Sequence, residues 1–165
     1  MNVLFLDMDG VINSTKFEKD YFKENGVRLN GFDIVNPIMV YRINKLIEEF
    51  DLKIVWSSDW RYYHTDLEDS RKTLASTGIL ADRLIGITPM DDKGIYFPQR
   101  NDEILYYIKN HDDIDFCLII DDRKDAEVFG VENCFFINTT MEYGFTRELY
   151  EKARKICLKN AKNKN

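Results

Sequence analysis

Short continuous apolar runs alternate along the chain with longer segments in which apolar residues recur every three or four positions. The runs cover residues 3–6, 52–56, 84–87, 116–120 and 134–137. Unbroken apolar character suits strands buried on both faces, as in a parallel sheet covered by helices. The first run, Val3-Leu4-Phe5-Leu6, is expected to be a central strand. Between the runs the period changes. Pro37 suits a first helical position behind Asn36 as N-cap, and Ile43, Leu46, Ile47 and Phe50 keep the i, i+3, i+4, i+7 spacing, so the pattern predicts a helix over 37–50. Further helices are expected over about 60–76, 98–109 and 124–129, and from about Thr146 onward. The segment 11–36 reads as a flap or loop outside the sheet, and 160–165 as a disordered tail. The expected fold is a single α/β, Rossmann-like domain over 1–165, with a central parallel sheet of about five strands flanked by helices and no large cap.

Composition supports one domain: 165 residues, of which 44% are hydrophobic, suffice for one core. No apolar run approaches the ~18 residues of a membrane span, and the N-terminus lacks the basic stretch of a secretory signal. A soluble, cytoplasmic protein without membrane contact is therefore expected. Cys117, Cys134 and Cys157 lack C-x-x-C spacing and read as reduced, mostly buried thiols rather than a disulfide framework or zinc ribbon. The net charge of −6 is uneven: from Arg147 onward seven basic residues face only Glu148 and Glu151, which leaves the body strongly acidic. Such a body repels polyanions unless a metal or locally focused positive charge screens its site.

The chemistry gathers where the apolar runs end. In open α/β sheets, ligands bind outside the carboxyl ends of the strands. The first run ends in Asp7-Met8-Asp9-Gly10 and the fourth in Asp121-Asp122. Paired carboxylates at the end of a buried strand repel each other unless a cation lies between them, and Gly10 allows the chain to turn sharply there. If the two strands are neighbours, their acids form one oxygen-rich cluster without histidine or thiolate, a donor set that suits Mg²⁺. The second run ends in Ser57-Ser58. Either serine can offer its hydroxyl to an anionic oxygen, and either can cap the following helix. Ser57 can add its backbone N–H. Arg100, just ahead of the helix that leads into the fourth run, is a candidate cation, with Lys93 as its rival. Asp125 reads as a first-turn helix residue.

Taken in order, Leu-Phe-Leu-Asp7-Met-Asp9-Gly10, Ile-Val-Trp-Ser57, Arg100 and Leu-Ile-Ile-Asp121-Asp122 resemble the four motifs of the haloacid dehalogenase-like (HAD) phosphatases. The resemblance runs from Val3 to about Ile137. Within that superfamily, Ile-Val-Trp-Ser-Ser-Asp-Trp-Arg61 is similar to a branch of small bacterial and phage domains likened to RNA-repair phosphatases. Asp121-Asp122-Arg123 resembles the phosphatase half of polynucleotide kinase-phosphatases. The family most often has lysine where Arg100 stands. The resemblance implies a Mg²⁺-dependent phosphomonoester hydrolase. Asp7 would be the nucleophile, forming an aspartyl-phosphate, and Asp9 the general acid and base. Ser57 and Arg100 would bind the transferring group, and Asp7, Asp9, Asp122 and Asp121 would hold the metal. Ser58, Arg61 and Gly10 are counted among the substrate-binding candidates.

Neither interval that carries a cap in such enzymes is long enough here for a large one, so the site should be open. The resemblance then implies a phosphorylated substrate as partner, with polynucleotide 3′-phosphate ends as the extended reading and a small-molecule or nucleotide phosphatase as the alternative. Trp60-Arg61-Tyr62-Tyr63 could stack bases or grip phosphate, or simply pack a helix against the sheet. The basic C-terminal helix reads as a guide for a polyanion or as a solubilising face. Two readings of another class are a phosphoacceptor signalling domain and a catalytically silent binding module. The first fails because the third run ends in Thr88-Pro89 rather than an acceptor acid, and the second because Asp7, Asp9 and Asp122 are all present. The sequence leaves the oligomeric state open.

Overall fold

The computed structural model describes residues 1–31, 34–64, 66–91 and 95–163. Five parallel strands form one sheet in the order β3-β2-β1-β4-β5, with β1 Asn2–Leu6, β2 Lys53–Trp56, β3 Leu84–Ile87, β4 Phe116–Asp121 and β5 Cys134–Asn138. β1 is the central strand. Its neighbours are β2 and β4, so the first and fourth apolar runs lie side by side. The connecting α-helices among the described residues are α1 Thr15–Asn25, α2 Pro37–Phe50, α3 Leu67–Ser76, α4 Arg100–Lys109 and α5 Arg147–Asn163. Among the described residues no cap domain lies over the sheet, and no helix is long and apolar enough to cross a membrane.

Alternation along each strand sends side chains into two cores. Leu4, Leu6, Ile54, Trp56, Leu118 and Ile120 meet α2, α3 and α5 on one face. Val3, Phe5, Val55, Cys117 and Ile119 meet Ile104 and Tyr107 of α4 on the other. This division later decides where the charged groups go, because α4 covers the second face, with Ala126 and Val128 beside it. Helix α2 begins as its sequence predicts: Asn36 accepts from the Ile38 N–H at 2.9 Å, and Pro37 follows it.

The structure differs from the sequence pattern in four segments, one of them 124–129, where the expected helix is only a 3-10 turn at Lys124–Ala126. The 11–36 insertion contains helix α1, which buries none of its residues and so leaves no apolar stripe to read. Its ends are fixed locally, by Ser14 accepting from the Phe17 N–H and by Gly26 in the left-handed region. The single helix expected over 60–76 is two pieces, a 3-10 turn at Asp59–Tyr63 capped by Ser58 and then α3 capped by Asp66. At the C-terminus, α5 continues to Asn163, where the sequence pattern expects a tail from 160. All three cysteines are free, with Cys117 and Cys157 buried.

Candidate active site

The sheet ladder continues one residue beyond the strands and lines up three side chains. Leu6 pairs with Trp56 on one side and Ile120 on the other. One step on, the Asp7 N–H donates to the Ile120 carbonyl at 3.1 Å, and the Ser57 N–H donates to the Leu6 carbonyl at 2.9 Å. Asp7, Ser57 and Asp121 thus form a row across three adjacent strands, all three buried. The same ladder corrects one expectation: the Ser57 N–H is spent on Leu6, so Ser57 can offer a ligand only its hydroxyl. That hydroxyl is buried without a hydrogen-bond partner. Ser58 caps the 3-10 turn and also hydrogen-bonds the Asp7 carboxylate, so the two serines divide the roles that the sequence left open between them.

Alternation puts this row on the face covered by α4, and Arg100 is the first residue of that helix. Its side chain is 1% exposed, with Nε buried and making no hydrogen bond. Nη2 donates to Asp59 at 2.8 Å and Nη1 to Glu103 at 3.3 Å, while Nε lies 3.6 Å from Asp121 Oδ2. Asp125 lies in the first turn of its own short 3-10 helix, Lys124–Ala126, as the sequence suggests, and from there accepts the Arg100 N–H at 3.2 Å and pairs with Arg123 at 2.7 Å. Asp125 therefore fixes the start of α4. Lys93, the rival cation, lies outside the described residues.

Arg61 is placed differently from an exposed phosphate grip. Its side chain is 0% exposed, donates to the Ser58 carbonyl at 2.8 Å and pairs with Glu103 at 2.7 Å. Glu103 thus bridges two buried arginines, one from the 3-10 turn and one from α4. Gly10 has φ +66°, and a Cβ on it would lie 2.7 Å from Asp122 Cβ, so both its backbone conformation and the close approach of Asp122 require glycine. Its N–H donates to Asn13 Oδ1 at 2.7 Å. Asn13 Nδ2 in turn donates to Asp9 Oδ1 at 2.8 Å, and the Trp60 indole N–H donates to Asp9 Oδ2 at 2.8 Å.

One oxygen each from Asp7, Asp121 and Asp122 lies within 4.8 Å of the others. Burial, with the Asp122 charge adding to it, pushes Asp7 up to about 7, against the pull of Arg100, Ser58 and the Met8 backbone. Burial and then the Asp7 charge push Asp121 up to about 8. Burial and the Asp9 charge also raise Asp122. Burial alone would lower Arg100, but Asp7, Asp121, Glu103 and Asp59 together hold it above its ordinary value. Asp121 Oδ2 makes no hydrogen bond and meets Arg100 only as an ion pair. Crowded carboxylates with raised proton affinity and an unsatisfied oxygen fit a divalent cation, and the all-oxygen donor set suits a hard one.

Residues 3–149 match the family described as the HAD domain in Swiss Army Knife RNA repair proteins. The chain belongs to that family. No curated protein and no solved structure matches it. Asp9 and Arg100 of this HAD domain line a cavity of about 740 Å³ whose wall also includes Trp60, Tyr62, Tyr63 and Arg123. Tyr62 and Tyr63 are exposed there, whereas Trp60 is buried. Four parts of the HAD site escape the sequence reading: Asn13, Asp59, Glu103 and the Trp60 indole as a hydrogen-bond donor. Asn13 had one legible signal, an amide three residues after Gly10 at a turn, where such side chains bond back to the backbone.

Proposed function

We propose that this HAD domain is a Mg²⁺-dependent phosphomonoester hydrolase that works through an aspartyl-phosphate on Asp7, with a polynucleotide 3′-phosphate end as substrate. One observation carries the proposal: Asp7, Asp121 and Asp122 converge within 4.8 Å beside a buried arginine that itself lines an open cavity. Asp7, Asp122 and the Asp9 backbone carbonyl would hold the ion, with Asp121 supporting. Bound there, Mg²⁺ would offset the repulsion between a carboxylate nucleophile and a phosphate dianion. The Asp7 oxygen attacks phosphorus, the P–O bond to the substrate breaks, and the leaving oxygen takes a proton from Asp9. In the second half Asp9 takes a proton from water as that water attacks phosphorus, which frees Asp7. Ser57 offers its unpartnered hydroxyl to a phosphoryl oxygen. Arg100 keeps its positive charge against Asp7 and Asp121 throughout.

The metal assignment predicts how stability responds to pH. Asp7 and Asp121 have folded-state pKa values raised from 3.8 to about 7 and about 8. Between these limits the folded chain binds more protons than the unfolded one, so stability falls as pH rises toward 8. In EDTA the melting temperature should therefore be lower at pH 8 than at pH 6, and added Mg²⁺ should raise it more at pH 8. Asp122→Ala should abolish most of the Mg²⁺ effect. A Mg²⁺ shift unaffected by Asp122→Ala would remove Asp122 from the proposed ligand set.

Support for a polynucleotide end comes from the RNA-repair family, the open cavity and its exposed Tyr62 and Tyr63, on which bases can stack. The acidic body limits the contact to a few nucleotides. With Mg²⁺ present, kcat/KM for a short 3′-phosphorylated oligonucleotide should exceed that for the 3′-mononucleotide and fall with added salt. Equal efficiency on both without salt dependence would favour a small-molecule or nucleotide phosphatase.

A further inference from the structure

The hydrogen bond from the Trp60 indole to Asp9 reaches beyond packing. A carboxylate at a turn can rotate about its last torsion unless donors hold its oxygens. Here both oxygens are held: Oδ1 by Asn13 Nδ2 and Oδ2 by Trp60 Nε1, each at 2.8 Å. Asn13 is itself fixed, because its oxygen accepts the Gly10 N–H. Trp60 is also fixed, being 6% exposed and packed in the core beneath the sheet end. An indole N–H and an amide NH₂ can only donate, so neither can take a proton from Asp9. Each Asp9 oxygen keeps a further lone-pair position, and Asp9 lines the cavity.

We infer that Trp60 is a positioning residue for the acid step: its indole N–H orients the Asp9 carboxyl toward the leaving oxygen of the substrate. The inference rests on the proposed phosphatase chemistry and deepens it. In that step the bond from phosphorus to the substrate oxygen breaks, and its electron pair on the leaving oxygen takes the Asp9 proton. Misorientation of Asp9 therefore costs most when the leaving oxygen is strongly basic. An alkyl phosphate needs the proton, whereas an aryl phosphate with a stabilised phenoxide needs it much less. A merely structural role for Trp60 would slow both esters alike. Phenylalanine keeps the aromatic packing and removes only the N–H.

The test compares wild type and Trp60→Phe on p-nitrophenyl phosphate and on an alkyl ester, glycerol phosphate, with Mg²⁺ present. The ratio of kcat on the alkyl ester to kcat on the aryl ester should fall by about 10 to 100-fold, with KM for either ester little changed. An unchanged ratio would overturn the inference. A second readout needs neither metal nor turnover. The chain has two tryptophans, so its indole N–H groups give two NMR resonances, and Trp60→Phe identifies one of them. Asp9→Ala should shift that resonance strongly and speed its hydrogen exchange. A resonance indifferent to Asp9→Ala would overturn the contact itself. If the wild type hydrolysed neither ester nor a 3′-phosphorylated oligonucleotide, the phosphatase reading would fall and the positioning role with it, even with the indole contact intact in the spectrum.

Discussion

Asp7→Asn is expected to lower phosphomonoester turnover on the order of 10⁴-fold or more while leaving the fold intact. The amide has the shape of the carboxylate but no electron pair suited to attack phosphorus, so no aspartyl-phosphate can form. The surroundings should tolerate the change. Asp7 lies beside Asp121, whose charge it raises in energy and whose proton affinity it increases. Removing one of two crowded charges relieves that repulsion, at the cost of one attractive partner for Arg100, which keeps Asp59, Glu103 and Asp121. The melting temperature in EDTA should therefore be equal to or higher than that of the wild type. Turnover of an aryl phosphate with Mg²⁺, normalised to active protein, checks the first part and thermal unfolding the second. Substantial activity in a folded Asp7→Asn protein would remove Asp7 as nucleophile.

The sheet and half of the site were legible because they obey local rules. The run Val3-Leu4-Phe5-Leu6 has no polar interruption, as expected of a central strand, and acids directly after it fall at the carboxyl edge. Asp7 and Asp121 became one cluster only on the condition that β1 and β4 are neighbours, a pairing that periodicity does not determine. Helix α1 stayed hidden for a complementary reason: it is held by caps, not by burial, and hydrophobic patterning reads burial. Arg61 shows the limit most clearly. A cation beside exposed tyrosines reads as a surface group because arginine is seldom fully buried unless paired. Its partner Glu103 lies on α4, in the next crossover of the sheet, and nothing local in either segment announces the pair. The same applies to Trp60, whose apolar body fits the core while its one donor reaches Asp9.

Arg61→Ala is expected to destabilise the protein by about 3–5 kcal/mol, the usual cost of breaking a buried ion pair from one side. For a domain of this size that lowers the melting temperature by roughly 6–20 °C. Burial itself opposes the charged form of Arg61, and Glu103 compensates. Truncation removes that compensation and leaves Glu103, which is 10% exposed, with Arg100 as its remaining ion-pair partner among the described residues. It also removes one of the two donors to the Ser58 carbonyl, which keeps the backbone N–H of residue 61, and empties the volume of a large, fully buried side chain. Arg61→Lys should recover only part of the loss, because one ammonium cannot match a planar fork that serves the Ser58 carbonyl and the Glu103 carboxylate together. Turnover should fall as well, since Ser58 contacts Asp7 and Glu103 holds Arg100, so the damage passes to both sides of the nucleophile. Thermal unfolding and oligonucleotide titration, run on the same variant, separate this role from a surface grip. An unchanged melting temperature combined with lost oligonucleotide affinity would return Arg61 to substrate binding, whereas a large fall in stability with affinity loss confined to the unfolded fraction identifies it as the pin between the 3-10 turn and α4.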